Sequence, residues 1–256
     1  MKRLISLMLG IVLSLSLCSF GDYITIDSDL SDWAGIDYTD QGTKSGPDGG
    51  SYSLRTTYDS QNLYIAVDRS STGRILGDTG TNYDDTSYSP DDSFFLAFDV
   101  DGITDSGGSS NVTLANGETD GMSISFGGDN LPDIIYAFSG GGNWFTYSTW
   151  NGSEWTGDAD NWVEPEDSSI GVSYGDSGND GDEFAIPLQD IGSPSGDIMA
   201  WAWMAKESHY YIEAAWGFSS GAQPTAYDGM SVAVPEPFTL GLLGIGSIAL
   251  RRRRKS

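Results

Sequence analysis

The alternation of apolar and polar residues over most of the chain predicts β-strands and almost no helix. Residues 52–67 contain two alternating segments around a polar turn at residues 59–62, which is typical of a β-hairpin. Residues 93–98 form a nearly continuous apolar run, which predicts a central strand buried on both faces. Residues 198–205 alternate again, and residues 150–155 contain the Asn-Gly pair that favours a tight hairpin.

Short segments of the same kind recur along the chain, so we expect roughly ten to twelve strands. A sheet with an apolar face must bury that face against another layer, and antiparallel strands do so most simply as two packed sheets. The predicted fold class is therefore all-β, a two-sheet antiparallel β-sandwich of jelly-roll-like type. The strands would form one domain of about 210 residues.

The N-terminal end of the chain is typical of a secretory signal peptide. Lys2 and Arg3 precede an apolar segment at residues 4–17, and small residues follow it. We expect this segment to form a signal helix that is removed on export. The only cysteine, Cys18, lies within it, so the exported part would contain no disulfide.

The C-terminal end has three ordered parts, which are a Pro-Glu-Pro triplet, an apolar run at residues 238–250 and a basic cluster. Thirteen apolar residues form roughly 20 Å of helix, which is shorter than a hydrocarbon core of ~30 Å. Lys and Arg favour the cytoplasmic side. We therefore expect a short apolar transmembrane helix that holds the chain in the inner membrane transiently. The alternative is a permanent anchor, lengthened by snorkelling arginines.

This order of elements closely resembles the PEP-CTERM sorting signal of Gram-negative bacteria. The resemblance implies recognition by an exosortase-type processing enzyme, removal of the tail, and delivery to the cell envelope or an extracellular matrix. With it, the chain divides into a signal peptide at residues 1–21, a β-sandwich domain at residues 22–233 and a sorting segment at residues 234–256. The residues assigned to the sorting signal are Pro235, Glu236, Pro237, Arg251 and Arg252.

Charge is distributed unevenly along the chain. The part between the two terminal segments contains 36 acidic and 5 basic residues, which gives a net charge near −31. Such a surface repels nucleic acid, so nucleic-acid partners are excluded. It attracts cations, and Asp clustered with Gly and Asn in turns suits calcium, which is abundant outside cells. Solvation of an extracellular surface explains the same charge without a metal.

The first candidate calcium site follows the predicted central strand. Asp99, Asp101 and Asp105 offer carboxylates in a turn that also contains Gly102. The spacing begins like an EF-hand loop, but Ser110 stands where the bidentate Glu of position twelve would be. We therefore expect a looser calcium loop, because a hard cation needs several oxygens and little else.

The second candidate calcium site is the acidic turn near the N-terminus of the exported part. Asp27 and Asp29 lie there, and Asp32 follows just before Trp33. The alternative for both acidic turns is that Asp forms the turn through hydrogen bonds with its own backbone.

Aromatic residues are concentrated between residues 144 and 162. Sugars present CH faces that stack on such rings, and their hydroxyls bond to Asp and Asn side chains nearby. We predict sugar stacking at Trp150 and Trp155, which flank the Asn-Gly turn, and at Trp144. The alternative is that these rings fill the core.

Several short motifs, in order, resemble those of the family-nine carbohydrate-binding modules and the related DOMON-like sandwiches. The resemblance implies a β-sandwich, but the motifs mark framework strands and turns, so they do not fix a sugar site. The matching residues are Ile26-Asp27-Ser28, Asp32-Trp33, Asp59, Leu63-Tyr64-Ile65-Ala66, Asp91-Asp92-Ser93, Asp99-Val100-Asp101-Gly102 and Glu183-Phe184-Ala185-Ile186-Pro187-Leu188.

Catalytic signals are weak. His209 is the only histidine, and no nucleophile-elbow motif accompanies it. We therefore expect a secreted, non-catalytic envelope or matrix protein that binds or organises polysaccharide. Two alternatives stay open, namely a structural matrix protein whose acidic surface alone matters, and a glycoside-active enzyme built on two carboxylates.

Overall fold

The structure is a computed structural model, which describes twelve ranges of the chain. The predicted signal helix, the predicted C-terminal helix and the sorting residues lie outside these ranges. Within them, no helix has the length and apolar character needed to cross a bilayer. The ranges are residues 24–46, 50–69, 92–103, 105–108, 124–139, 144–157, 169–174, 181–194, 196–206, 211–218, 225–226 and 229–234.

Fourteen strands and one short 3-10 turn, Asp32–Gly35, make up the regular structure in these ranges. The strands are β1 (Thr39–Ser45), β2 (Ser51–Tyr58), β3 (Asn62–Arg69), β4 (Asp92–Asp99), β5 (Ser125–Phe126), β6 (Ile134–Ser139), β7 (Trp144–Trp150), β8 (Trp155–Gly157), β9 (Gly171–Ser173), β10 (Asp182–Pro187), β11 (Ile198–Lys206), β12 (Tyr211–Trp216), β13 (Thr225–Ala226) and β14 (Met230–Val232).

The strands form two large antiparallel sheets, which confirms the all-β prediction. One sheet has the order β1-β2-β3-β10-β9, and the other has the order β12-β11-β4-β6-β7-β8, with β14 also paired to β11. A short parallel pair, β5 with β13, is not hydrogen-bonded to either of these sheets. The predicted hairpin is β2–β3, with Tyr58 opposite Leu63 across the turn. The jelly-roll-like detail stays a prediction.

The main core lies between the two sheets. Phe184 of β10 stacks on Phe94 of β4 at 4.8 Å and contacts Phe138 of β6 at 4.6 Å between ring centroids. All three rings are fully buried. Contacts between rings of facing sheets hold the layers together, because each ring removes a large apolar area from water.

A second apolar cluster covers the opposite face of the larger sheet. Trp201 and Trp203 of β11 lie there, and Phe126 of β5 packs edge-on against Trp201 at 5.4 Å. Strand β4 therefore has apolar neighbours on both sides, since Phe94 faces the main core and Ala97 faces this second cluster. The predicted two-faced burial of that strand is confirmed.

The acidic turn near residue 27 is tied to the sheet by a buried carboxylate. Glu183 of β10 accepts the indole N–H of Trp33 at 2.7 Å and the backbone N–H groups of Asp27 at 3.0 Å and Ser28 at 2.7 Å. Its side chain is fully buried. The early Trp motif and the later Glu motif are therefore joined in this fold, since the Glu183 carboxylate accepts the indole N–H of Trp33.

Candidate functional site

The hairpin β7–β8 lies at the end of the larger sheet in the described part of the chain. Its turn forms as the Asn-Gly pair predicts. The side-chain oxygen of Asn151 accepts the N–H groups of Ser153 at 2.9 Å and Glu154 at 3.0 Å. Gly152 has a φ of 96°, a conformation that side chains other than glycine rarely adopt. We call this unit, residues 144–157, the edge hairpin.

One face of the edge hairpin presents a half-exposed ring beside two hydroxyls. Tyr147 is 48% exposed and lies opposite Tyr136, which belongs to the main core, with the ring centroids 5.9 Å apart. Thr149 follows on the same face, and its cross-strand partner Thr156 donates to the carbonyl of Thr149 at 3.1 Å. Tyr147, Thr149 and Thr156 together are called the inner strip.

Tyr136, the core residue that contacts Tyr147 of the inner strip, stays neutral and is affected by the charge of a carboxylate. Burial raises the pKa of Tyr136 far above its ordinary value, and the charge of Asp190 adds to this rise. The phenol therefore stays protonated at neutral pH. Asp190 is exposed and accepts the hydroxyl of Ser169 at 2.8 Å. The charge of Asp190 therefore acts on Tyr136, the ring that contacts Tyr147.

The other face of the edge hairpin carries two of the predicted tryptophans. Trp150 and Trp155 are cross-strand partners and meet edge-to-face at 5.5 Å, and both are partly buried. A Cβ added to Gly108 would lie 2.4 Å from the Trp155 ring, so the loop backbone presses directly on that ring. Sugar stacking at these two residues stays a prediction. Trp144 begins β7, and its side chain lies outside what the structure describes.

Three aspartates converge beside the edge hairpin. Asp99 ends β4, Asp101 lies in the turn that follows, and Asp133 immediately precedes β6. Strands β4 and β6 are antiparallel, with Phe98 opposite Ile134, so the end of one strand meets the start of the other. One carboxylate oxygen from each Asp lies within 4.8 Å of the other two. We call this group the Asp99 cluster.

Backbone donors hold the three carboxylates in place. Asp99 Oδ1 accepts the N–H of Gly102 at 2.9 Å, and Asp133 Oδ2 accepts the N–H of Val100 at 3.0 Å. Asp101 Oδ1 accepts the N–H of Ile103 at 2.7 Å. The remaining oxygen of Asp99, Oδ2, is buried and has no hydrogen-bond partner. An unpartnered buried carboxylate oxygen is costly, so this atom distinguishes the cluster from an ordinary turn.

Burial and mutual repulsion in the Asp99 cluster disfavour ionisation of all three carboxyl groups at once. Burial raises the pKa of Asp99, the Asp101 charge raises it further, and the Gly102 N–H opposes the rise. Burial likewise raises the pKa of Asp133, as do the charges of Asp101 and Asp99, against the opposing Val100 N–H. Among the side chains that the structure describes, the two ion pairs, Arg55–Asp68 and Arg69–Asp182, both lie elsewhere.

The other predicted metal ligands have different surroundings. Asp105, with a φ of 63°, donates its N–H to the carbonyl of Asp129 at 3.1 Å and is not part of the Asp99 cluster. Asp27 Oδ1 accepts the N–H of Asp29 at 3.0 Å, and Asp29 Oδ1 accepts the N–H of Ser31 at 3.0 Å. Calcium binding at these three residues stays a prediction, and the two earlier aspartates act as turn formers here.

Two residues of interest were not among the predicted site residues. Asp133 is distant from Asp101 in sequence, and only the antiparallel pairing of β4 with β6 joins them. A signal existed in Asp133, a carboxylate that follows Pro132 directly before an apolar strand. Tyr147 is one of the aromatic residues between 144 and 162, but alternation places it on the opposite face from Trp150.

Hydrogen bonds join the Asp99 cluster to the edge hairpin. The carbonyl of Asp133 accepts the backbone N–H of Trp150 at 2.8 Å, and the carbonyl of Pro132 accepts the N–H of Gly108 at 2.9 Å. The acidic loop and the tryptophan pair therefore share one backbone framework. His209, the only histidine of the chain, lies outside the described residues.

Comparisons with known proteins identify a known motif in one segment of the chain. No curated protein matches the chain itself. Two solved structures are similar, both of a carbohydrate binding module family 9 (CBM9) from Caldicellulosiruptor kristjanssonii. The complex with cellotriose is 12% identical, with 84% of this chain and 91% of that chain covered and a TM-score of 0.40. The complex with glucose is 13% identical, with 86% and 94% covered and a TM-score of 0.40.

Both structures are modules of the family that the ordered sequence motifs resemble. The clearest match concerns the C-terminal segment. Residues 233–255 match the model of the PEP-CTERM protein-sorting motif, and all five predicted sorting residues fall within this range. The chain therefore carries a PEP-CTERM sorting motif, which indicates export and sorting to the cell envelope or extracellular space.

Proposed function

We propose that the protein is an exported, non-catalytic polysaccharide-binding β-sandwich, which binds its ligand through the edge hairpin. The observation that carries this proposal is the inner strip. Tyr147 presents a ring that is 48% exposed on a regular strand, and Thr149 and Thr156 place hydroxyls beside it. A sugar needs a flat apolar surface for its CH face together with polar groups for its hydroxyls, and amphipathic tyrosine suits that combination.

The tryptophans on the other face of the edge hairpin provide a second proposed contact surface. Trp150 and Trp155 retain partial exposure and are held in fixed positions by their mutual contact at 5.5 Å. A ring that is already fixed loses little conformational entropy when a ligand binds. In this proposal Tyr147 provides the main stacking surface, and Trp150, Trp155 and Trp144 add contacts along a longer chain.

The negative charge of the protein limits the class of polysaccharide that we expect it to bind. The exported part carries 36 acidic and 5 basic residues, so a polyanion approaching it meets long-range repulsion. We therefore expect neutral polysaccharides to bind better than uronic-acid polysaccharides. Processing by an exosortase-type enzyme, cleavage of the tail and transient inner-membrane anchoring belong to the same proposal, and they rest on the sorting motif at residues 233–255.

Binding of the full-length protein to a panel of neutral and acidic polysaccharides tests this function. Affinity electrophoresis with soluble glucans and xylans, beside alginate, would give the dissociation constants. We expect Tyr147→Ala to weaken binding about two- to twelvefold, since an aromatic contact is worth about 0.5–1.5 kcal/mol. Tyr58→Ala is the matched control, because Tyr58 is also exposed, at 42%, but lies on the other sheet.

Three results would contradict the proposal. If the wild-type protein bound no polysaccharide, the structural matrix role of an acidic surface would replace it. If Tyr147→Ala and Tyr58→Ala behaved alike, the edge hairpin would not be the binding surface. Release of reducing ends from a bound polysaccharide would show catalysis and overturn the non-catalytic assignment.

A further inference from the structure

We propose that Asp99, Asp101 and Asp133 form a calcium site that fastens the acidic loop to the base of the edge hairpin. This site is independent of polysaccharide binding and differs from the sequence prediction, because Asp133 replaces Asp105 as the third carboxylate. Two observations carry it. The three carboxylates converge within 4.8 Å, and Asp99, which is 2% exposed, leaves Oδ2 buried without a partner.

The separation of the oxygens fits a calcium ion. Calcium–oxygen distances are about 2.4 Å, so two ligands on opposite sides of the ion are about 4.8 Å apart. The three oxygens of the Asp99 cluster lie within that span. Carboxylates with backbone carbonyls and water complete the six to eight ligands that calcium takes, whereas magnesium demands a tighter octahedron. The donor set contains oxygen only, which disfavours zinc and copper.

Convergence of three carboxylates separates this cluster from the acidic turn at Asp27 and Asp29. There, Asp27 Oδ1 and Asp29 Oδ1 each accept a backbone N–H two residues further along, and Asp32 Oδ1 is buried without a partner but belongs to no such group among the described residues. At Asp99, one of the three converging side chains, the backbone satisfies Oδ1 through Gly102 and leaves Oδ2 buried without a hydrogen-bond partner. A bound cation would satisfy that atom and relieve the repulsion between the three charges.

The position of the site gives the ion a structural role. Asp99 ends β4 and Asp101 lies in the loop after it, whereas Asp133 precedes β6, and the Asp133 carbonyl accepts the N–H of Trp150. The same loop reaches the Trp155 ring through Gly108. An ion held by both segments therefore stiffens the backbone on which the tryptophan pair rests.

Calcium titration of the chelator-treated full-length protein by calorimetry tests the site. We expect one site with a dissociation constant of about 10⁻⁴–10⁻³ M, as in other extracellular modules. Asp101→Asn and Asp133→Asn should each weaken calcium binding at least tenfold. Asp105→Asn is the matched control, since Asp105 lies in the same loop outside the cluster and Asn tolerates its positive φ. It should leave the affinity unchanged within twofold.

A thermal melt provides the second measurement and needs no variant. Saturating calcium, at about a hundred times the dissociation constant, should raise the melting temperature by roughly 5–10 °C relative to chelator. Absence of calcium binding by the wild type would overturn the proposal. So would equal binding of magnesium, or calcium binding that persists in Asp101→Asn. Asp101 is exposed, so that variant should fold even if changes at Asp133 prevent folding.

Discussion

The two acidic turns of this protein look alike in sequence and differ in what their carboxylates contact. In the N-terminal turn, Asp27 and Asp29 accept backbone N–H groups of their own turn, and the buried Glu183 fastens that turn to β10. In the Asp99 cluster, three carboxylates from two segments face one another, and one buried oxygen has no partner. The first turn also contains a buried oxygen without a partner, Asp32 Oδ1, but among the described residues only the Asp99 cluster brings three carboxylates together, and it is there that we propose a cation.

The largest expected effect concerns the buried carboxylate of the first turn. Glu183→Gln replaces one of two accepting oxygens by an NH₂ group, so at least one of three buried donors loses its acceptor. We expect a loss of about 2–4 kcal/mol in the free energy of unfolding. Denaturant unfolding, with and without calcium, measures it.

The control for this variant is Glu154→Gln, because Glu154 is exposed in the turn of the edge hairpin. Its effect should stay within about 0.5 kcal/mol. If the stability lost in Glu183→Gln differed with and without calcium, the contrast between the two acidic turns would fail, since the first turn would then also depend on a cation.

An intermediate effect is expected at the Asp99 cluster, and its size depends on calcium. In saturating calcium, Asp101→Asn should lower the free energy of unfolding by about 1–3 kcal/mol, because the stabilisation by the bound ion is lost. In chelator, the same variant should be neutral or slightly stabilising, since it removes one of three like charges. Paired unfolding curves in the two buffers measure the difference. Equal losses in both buffers would show a purely structural Asp101.

The smallest effect is expected where Asp serves as a turn former. Asp27→Ala removes the acceptor of the Asp29 N–H and should cost about 0.5–1 kcal/mol. Asp27→Asn should restore most of this loss, because its carbonyl oxygen accepts the same hydrogen bond. Thermal unfolding of both variants, compared with the wild type, should show the same difference with calcium and with chelator. If Asn failed to replace Asp at this position, the charge itself would matter, and the two turns would be more alike than their contacts suggest.

Much of the fold could be predicted from the chain. Alternation over residues 52–67 predicted the β2–β3 hairpin, and the apolar run at residues 93–98 predicted a strand with two buried faces. The Asn-Gly pair predicted the turn of the edge hairpin. Such signals are local, because a strand pattern or a turn depends on residues only a few positions apart.

The candidate sites could be predicted only in part. The sequence predicted Asp99 and Asp101 as candidate ligands, since they are close together in the chain, and the structure brings their carboxylates together. It selected Asp105 as their companion because Asp105 is near in sequence, whereas the pairing of β4 with β6 places Asp133 there. The sequence also favoured Trp150 and Trp155 over Tyr147, although ring exposure depends on which face another layer covers.

By itself, the sequence determined the class of fold, the acidic surface and the sorting motif at residues 233–255, because these depend on composition, periodicity and contiguous residues. Only the tertiary structure decided which carboxylates converge and which aromatic ring remains exposed. Those properties depend on contacts between strands far apart in the chain, and no local pattern encodes the distance between Asp99 and Asp133.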